Sequence, residues 1–306
     1  MLLERQIAAN QRSSYLLMAL ITLLLVVVGA AIGYFIDAPI AGIIIAFVVA
    51  VVVSLFSYYQ GDQVILNYSH AHPLEKKDNP QLFNVVEELS IAAGIPMPKV
   101  YIIDDEAPNA FATGRDPQHA SVAITTGLLK RLNRDELQGV MAHELSHVQN
   151  RDILFSMMMG VLAGSIVLLS DYVTRYLFWT GGATIGGGQR RGSREKSQAN
   201  ALLMALGLIL VILAPLIARL IQLAVSRQRE YLADASGAKL TRYPEGLASA
   251  LEKLANDPHE LRVANRATAH LYIVNPFLHK KLAELNSIFD THPPLQERIR
   301  RLRAMG

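Results

Sequence analysis

Two uncharged runs near the start of the chain constrain its fold more than any other feature. Residues 13–36 carry no charged side chain, and after Asp37 residues 38–61 carry none either. Each run is long enough for a helix that spans a bilayer, which takes about 20 apolar residues. A signal peptide has a shorter apolar region, and here a second run follows after a single charge. The pattern predicts a transmembrane hairpin at residues 1–61; a buried helical pair in a soluble core is the alternative.

Positively charged residues predict the orientation of this hairpin. Arg5 and Arg12 precede the first run, Lys76 and Lys77 follow the second, and the connection between the runs has no Lys or Arg. Because cytoplasmic loops carry the excess of Lys and Arg, we expect the N-terminus and the region after residue 61 to lie in the cytoplasm. The composition also favours a membrane protein in contact with the lipid bilayer, since 18% of the residues are charged, below the usual quarter.

Two shorter uncharged runs follow at residues 153–170 and 201–218. They lie at the lower limit of length for a span, and we interpret residues 153–225 as a second hydrophobic helical pair. Between the runs, the glycines and arginines of residues 171–200 predict a flexible, basic loop. If the pair crosses the bilayer, this loop lies opposite the cytoplasmic segment, against the positive-inside rule. Either the hairpin sets the topology and the loop is tolerated, which we favour, or the pair does not cross fully.

The remaining segments predict a soluble catalytic domain in two parts, residues 62–152 and 226–306. The first part has one helical pattern at 81–93 and strand patterns at 100–103, 109–114 and 121–126. An extended substrate can pair with a strand at a sheet edge, although ordinary sheet structure is the alternative. The second part has helical patterns at 244–255, near 271–285 and at 293–305. The predicted fold class is therefore α+β and mainly helical.

The stretch His143-Glu144-Leu145-Ser146-His147 has the pattern of a zinc-binding metalloprotease helix. Histidines four positions apart lie on one face of a helix, so both imidazoles can reach one metal ion. The glutamate after the first histidine can hold the water that the metal polarises. Asn133 and Glu136 fit a capping box that starts this helix, and residues 153–170 continue directly from it. A helix with two surface histidines is the alternative.

A catalytic zinc usually has three protein ligands, so the motif requires a further one. The chain has no cysteine, and Asn150 and Ile153 stand where a metzincin would have its glycine and third histidine. Glu230 is the best candidate. At about 1.5 Å per residue it lies roughly 8–17 Å beyond the fourth run, and the two histidines lie roughly 9–15 Å before the third. Antiparallel helices would then bring all three side chains to a similar height.

Asp234 lies one helical turn beyond Glu230 on the same face. It could accept the free ring N–H of a ligand histidine, which would fix the tautomer of that ring. The alternative for this segment is a charged helix next to the membrane, in which Glu230 pairs with Arg227 or Arg229.

Together these segments resemble the HtpX-type membrane-bound zinc metalloproteases of bacteria and archaea, which are related to the CAAX prenyl endopeptidases. The resemblance rests on the N-terminal hairpin and on the motifs at Pro108–Gly114, His143–His147, Ser226–Asp234 and Thr291–Pro294. It implies a multi-pass protein of the cell (inner) membrane with a thermolysin-like zincin domain on the cytoplasmic side, and one Zn²⁺ per chain held by His143, His147 and Glu230. It also implies a role in stress response and quality control, with damaged or misfolded membrane proteins as substrates.

The predicted reaction is hydrolysis of an internal peptide bond. Zinc would lower the pKa of its bound water and polarise the scissile carbonyl. Glu144 would take the proton from that water and pass it to the leaving amine. The resemblance places His292 near the active site, where it could stabilise the oxyanion, with Arg298 as the second candidate. It also implies that Asn109 contacts the substrate backbone. A helix-start role for His292 and turn chemistry for Asn109 are the alternatives.

Two other functions fit parts of the pattern. A prenyl-protein endopeptidase would use the same chemistry on a lipidated C-terminus, but those enzymes usually have more transmembrane segments. A chaperone-like membrane protein with a structural zinc would normally close its site with four ligands, whereas three are evident here. The net charge of +3 implies no nucleic-acid partner.

Overall fold

The computed structural model describes residues 2–35, 38–179, 194–259, 261, 271–274 and 293–306. This part of the chain is mainly helical and includes one small sheet, as the sequence predicts. It divides into two compact units. The first comprises Met1–Ser14, Ser57–Met157 and Leu223–Gly306, and the second comprises Tyr15–Phe56 and Met158–Gln222. Both predicted parts of the catalytic domain therefore lie within the first unit.

The helices of the described residues are α1 (Leu2–Phe35), α2 (Pro39–Tyr68), α3 (Pro80–Ala93), α4 (Thr126–Arg131), α5 (Arg134–Gln149), α6 (Asp152–Trp179), α7 (Arg194–Thr241), α8 (Pro244–Asn256) and α9 (Leu295–Arg303). The strands are β1 (His72–Pro73), β2 (Lys99–Ile103), β3 (Ala110–Gly114) and β4 (Ala120–Thr125). A short 3₁₀ helix at Pro117–His119 lies between β3 and β4.

Helices α1 and α2 form the predicted N-terminal hairpin, and small residues allow them to pack closely. A Cβ on Gly33 would lie 2.9 Å from the Cα of Gly42, and a Cβ on Gly29 would overlap the Cβ of Ala46. Close backbone approach at small residues is the usual way in which helices associate in a bilayer, where lipid competes for apolar contacts. The hairpin is thus packed in the manner of a membrane protein.

By length and composition, three helical stretches among the described residues can cross a membrane. They are Tyr15–Tyr34, Pro39–Tyr68 and Asp152–Tyr172. The fourth predicted run contains a shorter apolar helix, Leu208–Ala218, within α7. Many large apolar side chains on α2 are exposed, which is typical of a surface that contacts lipid.

The structure corrects the prediction that the third apolar run continues the motif helix. Helix α5 ends at Gln149, and α6 begins at Asp152. In the turn between them, Arg151 has a left-handed φ of 60°. Such a φ is uncommon for residues other than glycine and redirects the chain sharply. The two helices are therefore separate elements.

The basic loop predicted at residues 171–200 is also too long. Residues 171–179 belong to α6 and residues 194–200 belong to α7, while residues 180–193 lie outside the described residues. The helical residues after position 193 are rich in Arg, Glu, Lys, Gln and Ala, which are good helix formers. Helix α7 then continues past Pro215 to Thr241, so the segment with Glu230 extends the fourth run, as predicted.

The sheet places one strand beside the motif helix. Its order is β1-β2-β4-β3; β2 and β4 are parallel, and the other pairs are antiparallel. The strand patterns predicted at 109–114 and 121–126 thus pair as β3 and β4, and β3 lies at an edge next to α5. The core between the sheet and helices α3, α5 and α8 includes Leu82, Val122, Val140 and Leu251.

Two glycines let neighbouring helices approach α5 closely. A Cβ on Gly139 would lie 2.5 Å from the backbone nitrogen of Leu247 in α8. A Cβ on Gly237 of α7 would lie 3.0 Å from the backbone nitrogen of His143. Because α7 approaches α5 closely at Gly237, side chains within about two turns of this crossing on the two helices can bind the same ion.

Candidate metal centre

The start of α5 is held by local and tertiary hydrogen bonds. Asn133 and Glu136 form the predicted capping box, in which each side chain accepts a hydrogen bond of 2.9 Å from the other's backbone N–H. The carboxylate of Glu136 also accepts hydrogen bonds of 2.7 Å from Ser249 and Lys253 of α8. Burial opposes ionisation of Glu136, but the bonds to Lys253 and Ser249 lower its pKa. The charged form therefore joins α5 to α8.

The three predicted metal ligands converge in the structure. His143, His147 and Glu230 each offer one ligand atom, and these atoms lie within 4.8 Å of one another. The two Nε2 atoms are 3.2 Å apart, and Glu230 carboxylate oxygens lie 3.4 Å from His147 Nε2 and 3.7 Å from His143 Nε2. Tetrahedral ligands at about 2.0–2.1 Å from zinc are roughly 3.3 Å apart. The donor set and its spacing therefore fit a zinc ion.

A carboxylate and an arginine lie beside His143, the first predicted metal ligand. The Nδ1 atom of His143 lies 2.9 Å from the Oδ1 atom of Asp234, as predicted for this aspartate. Asp234 in turn accepts hydrogen bonds of 2.9 and 2.8 Å from Arg298, which is fully buried. Burial alone would raise the pKa of Asp234, but the charges of Arg298 and His143 lower it. Asp234 is thus an ionised acceptor for the ring N–H of His143.

The second ligand histidine has a partner that the sequence analysis did not identify. The Nδ1 atom of His147 lies 3.3 Å from the Oδ2 atom of Asp152. Burial disfavours the charged imidazole, but hydrogen bonds to Asp152 and Glu230 raise the pKa of His147 to about 10 in the metal-free protein. Asp152 itself pairs with Arg229, at 3.6 Å. The available sequence signal was an aspartate five positions after the motif.

Glu144 lies in a cavity beside the predicted metal ligands. It is 2% exposed, and burial raises its pKa. It lines a cavity together with Ala112, His147, Asp152, Ile153, Ser156, Arg229, Glu230 and Leu271. This cavity therefore joins the predicted base, two of the metal ligands and a residue of the edge strand β3.

The edge of β3 is partly occupied by the chain itself. Of the helix predicted near 271–285 only residues 271–274 are described, and they are not α-helical. The backbone N–H of Ile273 donates to the carbonyl of Ala110 at 3.0 Å, and the amide of Asn109 donates to the carbonyl of Val274 at 3.0 Å. Ala112 is the next residue of β3 whose backbone points to the same side, because strand groups alternate. The substrate contact of Asn109 stays a prediction.

Of the two candidates for oxyanion stabilisation, Arg298 lies among the described residues and His292 does not. Arg298 lies within the metal centre: its Nη1 atom is 3.1 Å from Glu230 Oε2 and donates a 3.1 Å hydrogen bond to the carbonyl of Ile273. The charged groups around Arg298 raise its pKa although burial opposes this. A permanent positive charge thus lies beside the third ligand.

The chain is similar to one protein family and to several individual proteins. Residues 76–306 match the model of the family described as "Peptidase family M48". Proteins named "Protease HtpX homolog" from Caldanaerobacter subterraneus subsp. tengcongensis and Dictyoglomus turgidum are 45% and 46% identical, covering 97% and 98% of this chain and 96% and 94% of theirs. One from Syntrophobacter fumaroxidans is 48% identical, covering 94% and 97%. The crystal structure of S. mikatae Ste24p matches 85% of this chain and 57% of that chain, with a TM-score of 0.48 and 23% identity.

Proposed function

The chain belongs to peptidase family M48, and on that premise we propose that it is a zinc-dependent endopeptidase of the membrane, with the metal held by His143, His147 and Glu230. The convergence of three ligand atoms within 4.8 Å, beside the buried carboxyl group of Glu144, carries this proposal. Two imidazoles and one carboxylate are a ligand set found in catalytic zinc sites, which keep a fourth position for water or substrate.

The residues around the site have separate tasks in the proposed hydrolysis. Bound zinc supplies a Lewis acid that lowers the pKa of water and polarises a carbonyl. A carboxylate oxygen of Glu144 accepts the proton of the attacking water and later delivers it to the nitrogen of the leaving amine. Burial raises the pKa of Glu144, which makes its carboxylate a stronger base toward the attacking water.

An extended peptide is the proposed form of the substrate. The outward backbone groups of Ala112 lie at a sheet edge, and Ala112 lines the same cavity as Glu144. A peptide that pairs with this edge would present its carbonyl groups in one fixed geometry. The preceding outward carbonyl, on Ala110, is already bonded to Ile273, so the pairing begins at Ala112.

We further propose that the substrates are damaged or misfolded membrane proteins and that the catalytic side faces the cytoplasm of a bacterial or archaeal cell. This proposal is supported by three described helical stretches that are long and apolar enough to cross a membrane, where such substrates are found. The distribution of arginine and lysine around the hairpin supports the cytoplasmic side.

The proposal is tested by cleavage of an unfolded model protein with the full chain purified in detergent. We expect cleavage with zinc, no cleavage with a chelator, and a loss of about 100-fold or more in Glu144→Gln, since general base catalysis contributes about that much. The Glu144→Gln protein should still bind one zinc per chain, because Glu144 is not a ligand. Glu88→Gln, which removes an exposed carboxylate paired with Arg134, is the matched control and should remain active.

Two results would count against the proposal. Undiminished cleavage by Glu144→Gln would exclude the assigned base. Zinc bound at one per chain without cleavage of either unfolded or membrane-inserted substrates would favour a structural metal.

A further inference from the structure

The break between α5 and α6 brings an aspartate back to the metal centre. In an uninterrupted helix, residues five positions apart point in directions about 140° apart, so Asp152 would turn away from His147. Instead, α5 ends at Gln149, and the left-handed backbone of Arg151 redirects the chain. Asp152 then opens α6 with its carboxylate facing the motif helix.

Both oxygens of this buried carboxylate have partners. Asp152 is 4% exposed; its Oδ2 atom lies 3.3 Å from His147 Nδ1, and its Oδ1 atom lies 3.6 Å from Arg229 Nη1. The same Nη1 atom donates to the backbone carbonyl of Asp152 at 3.5 Å. The guanidinium of Arg229 also stacks on the ring of Phe155, with 3.6 Å between its central carbon and the ring centroid. The position of the carboxylate is thus fixed from two sides.

We propose that Asp152 is the positioning residue for the ligand His147, and that Arg229 holds Asp152 in place. Asp152 accepts the Nδ1–H of His147, which leaves the lone pair of Nε2 directed at the metal position between His143 and Glu230. Arg229 immediately precedes Glu230 on α7, so it connects the second ligand histidine to the helix of the third ligand. This inference rests on the proposed function in one respect only, namely that the three residues bind a metal.

The arrangement matches the one already described at the other histidine. His143 faces Asp234, and Asp234 faces Arg298. Carboxylates that accept the second ring N–H of a ligand histidine fix its tautomer and raise its basicity, and their loss typically weakens metal binding or activity about 10- to 100-fold. Each ligand histidine of this chain therefore has its own carboxylate and arginine.

A merely structural role for Asp152 would have different consequences. An acidic residue in the first turn of a helix interacts favourably with the helix dipole, and Asp152 also pairs with Arg229. Those interactions would affect the stability of the metal-free protein but not the affinity of the folded protein for zinc. The test therefore measures metal affinity separately from folding and from cleavage.

The experiment compares Asp152→Ala and Asp152→Asn with the wild type, each as the full chain in detergent. Zinc affinity is measured by competition with a chromophoric chelator, and the site geometry by the visible absorption of the Co²⁺-loaded protein. We expect Asp152→Ala to bind zinc about 10- to 100-fold more weakly and to show an altered Co²⁺ spectrum. Asp152→Asn should lose less, because its side-chain oxygen can still accept the Nδ1–H. The control is Asp171→Asn, which alters an exposed aspartate of the same helix.

The zinc affinity of Asp152→Ala distinguishes a positioning role of Asp152 from a merely structural one. Zinc affinity within twofold of the wild type in Asp152→Ala, with an unchanged Co²⁺ spectrum, would overturn the proposal even if cleavage or stability fell. A wild type that binds no zinc would overturn it together with the proposed function. Weaker zinc binding by Asp152→Ala in a protein that cleaves no substrate would uphold the positioning role while the proposed function fails.

Discussion

At the scale of single residues, two buried arginines set the electrostatics of the metal centre. Arg298 lies against Asp234 and Glu230, and Arg229 lies against Asp152. A buried carboxylate without a cation would be protonated or would destabilise the fold, because the charged form is poorly solvated there. The charge of Arg298 lowers the pKa of Asp234, so this carboxylate is ionised and can accept a hydrogen bond. Arginine suits this role since it remains charged even when buried.

Substitution of Arg298 should destabilise the metal-free protein more than the zinc-loaded protein. Arg298→Met leaves the buried carboxylates of Asp234 and Glu230 without their cation, and breaking a buried pair costs about 3–5 kcal/mol. The positive charge of bound zinc compensates part of this loss. Chemical denaturation with and without zinc measures the difference. Arg300→Met on the same helix removes an exposed pair with Glu297 and should change little; equal losses with and without zinc for Arg298→Met would contradict the expectation.

At the scale of secondary-structure elements, the motif helix is placed by what lies at its ends and at its crossings. Its start is bonded to α8 through Glu136, and Gly139 permits contact with α8 one turn later. Its far end is followed by the turn at Arg151. The histidines occupy the span between these points, where α7 approaches at Gly237. The ligand geometry therefore depends on residues that contact no ligand atom.

The bond between Glu136 and α8 should depend on pH. The pKa of Glu136 is lower in the folded protein than its ordinary value of 4.5, so its contribution is present above pH 4.5 and is lost as the pH falls through the folded-state pKa. Glu136→Gln should reduce the free energy of unfolding near pH 7 by about 1.5–3 kcal/mol, as expected for a charged hydrogen bond. The difference in free energy of unfolding between Glu136→Gln and the wild type should narrow below about pH 4.5. Denaturant titrations across this range measure it; a gap that is constant down to pH 3 would exclude the charged interaction.

The helix crossing at Gly139 should tolerate no added side chain. A Cβ there would lie 2.5 Å from the backbone of Leu247, so Gly139→Ala must separate α5 from α8. We expect a loss of about 1–3 kcal/mol, typical of overpacking. Gly164→Ala in α6 is the matched control, because no described atom lies within 4 Å of its added Cβ. That control should be neutral or stabilising by up to about 1 kcal/mol, given the better helix propensity of alanine. Equal stability of both variants would show that the crossing can adjust.

At the scale of the whole molecule, the chain combines membrane-length helices with a candidate metal centre in the first of its two compact units. Three described stretches are apolar and long enough to span a bilayer, and their exposed side chains require lipid or detergent. The metal-ligand cluster and the sheet belong to the first unit, together with both ends of the hairpin. The proposed cytoplasmic location of the catalytic side therefore depends on the orientation of this hairpin.

The absence of cysteine makes this orientation directly measurable. Single cysteines introduced as Arg5→Cys, Lys77→Cys and Asp37→Cys can be labelled with a membrane-impermeant maleimide. We expect positions 5 and 77 to react only when the cytoplasmic face is accessible, and position 37 to react from the outside of intact cells, because cytoplasmic loops carry the excess of Lys and Arg. Gly188→Cys would report the side of the basic loop in the same experiment. Labelling of position 77 in intact cells would reverse the proposed sidedness.

The sequence alone was sufficient to predict those properties that depend on neighbours along the chain. Hydropathy over a few turns identified the hairpin, the capping box located the start of α5, and a spacing of four residues put both motif histidines on one face. Glu230 was also proposed as the third ligand, because helix length and direction limit how far it can lie from the motif, and the structure brings its carboxylate near both histidines. These are regularities of single helices, and burial elsewhere in the fold does not change them.

Only the tertiary structure decided which distant groups meet. No pattern along the chain places Arg298 against Asp234, Ile273 on the edge of β3, or Asp152 beside His147. The last contact needs a left-handed residue between two helices, whereas the apolar run after the motif predicted an unbroken helix. Such contacts depend on how helices and strands pack against one another. This packing is determined by the whole core rather than by local propensity. The candidate ligands and Asp234 were therefore evident from the sequence, whereas Asp152 and Arg229 were not.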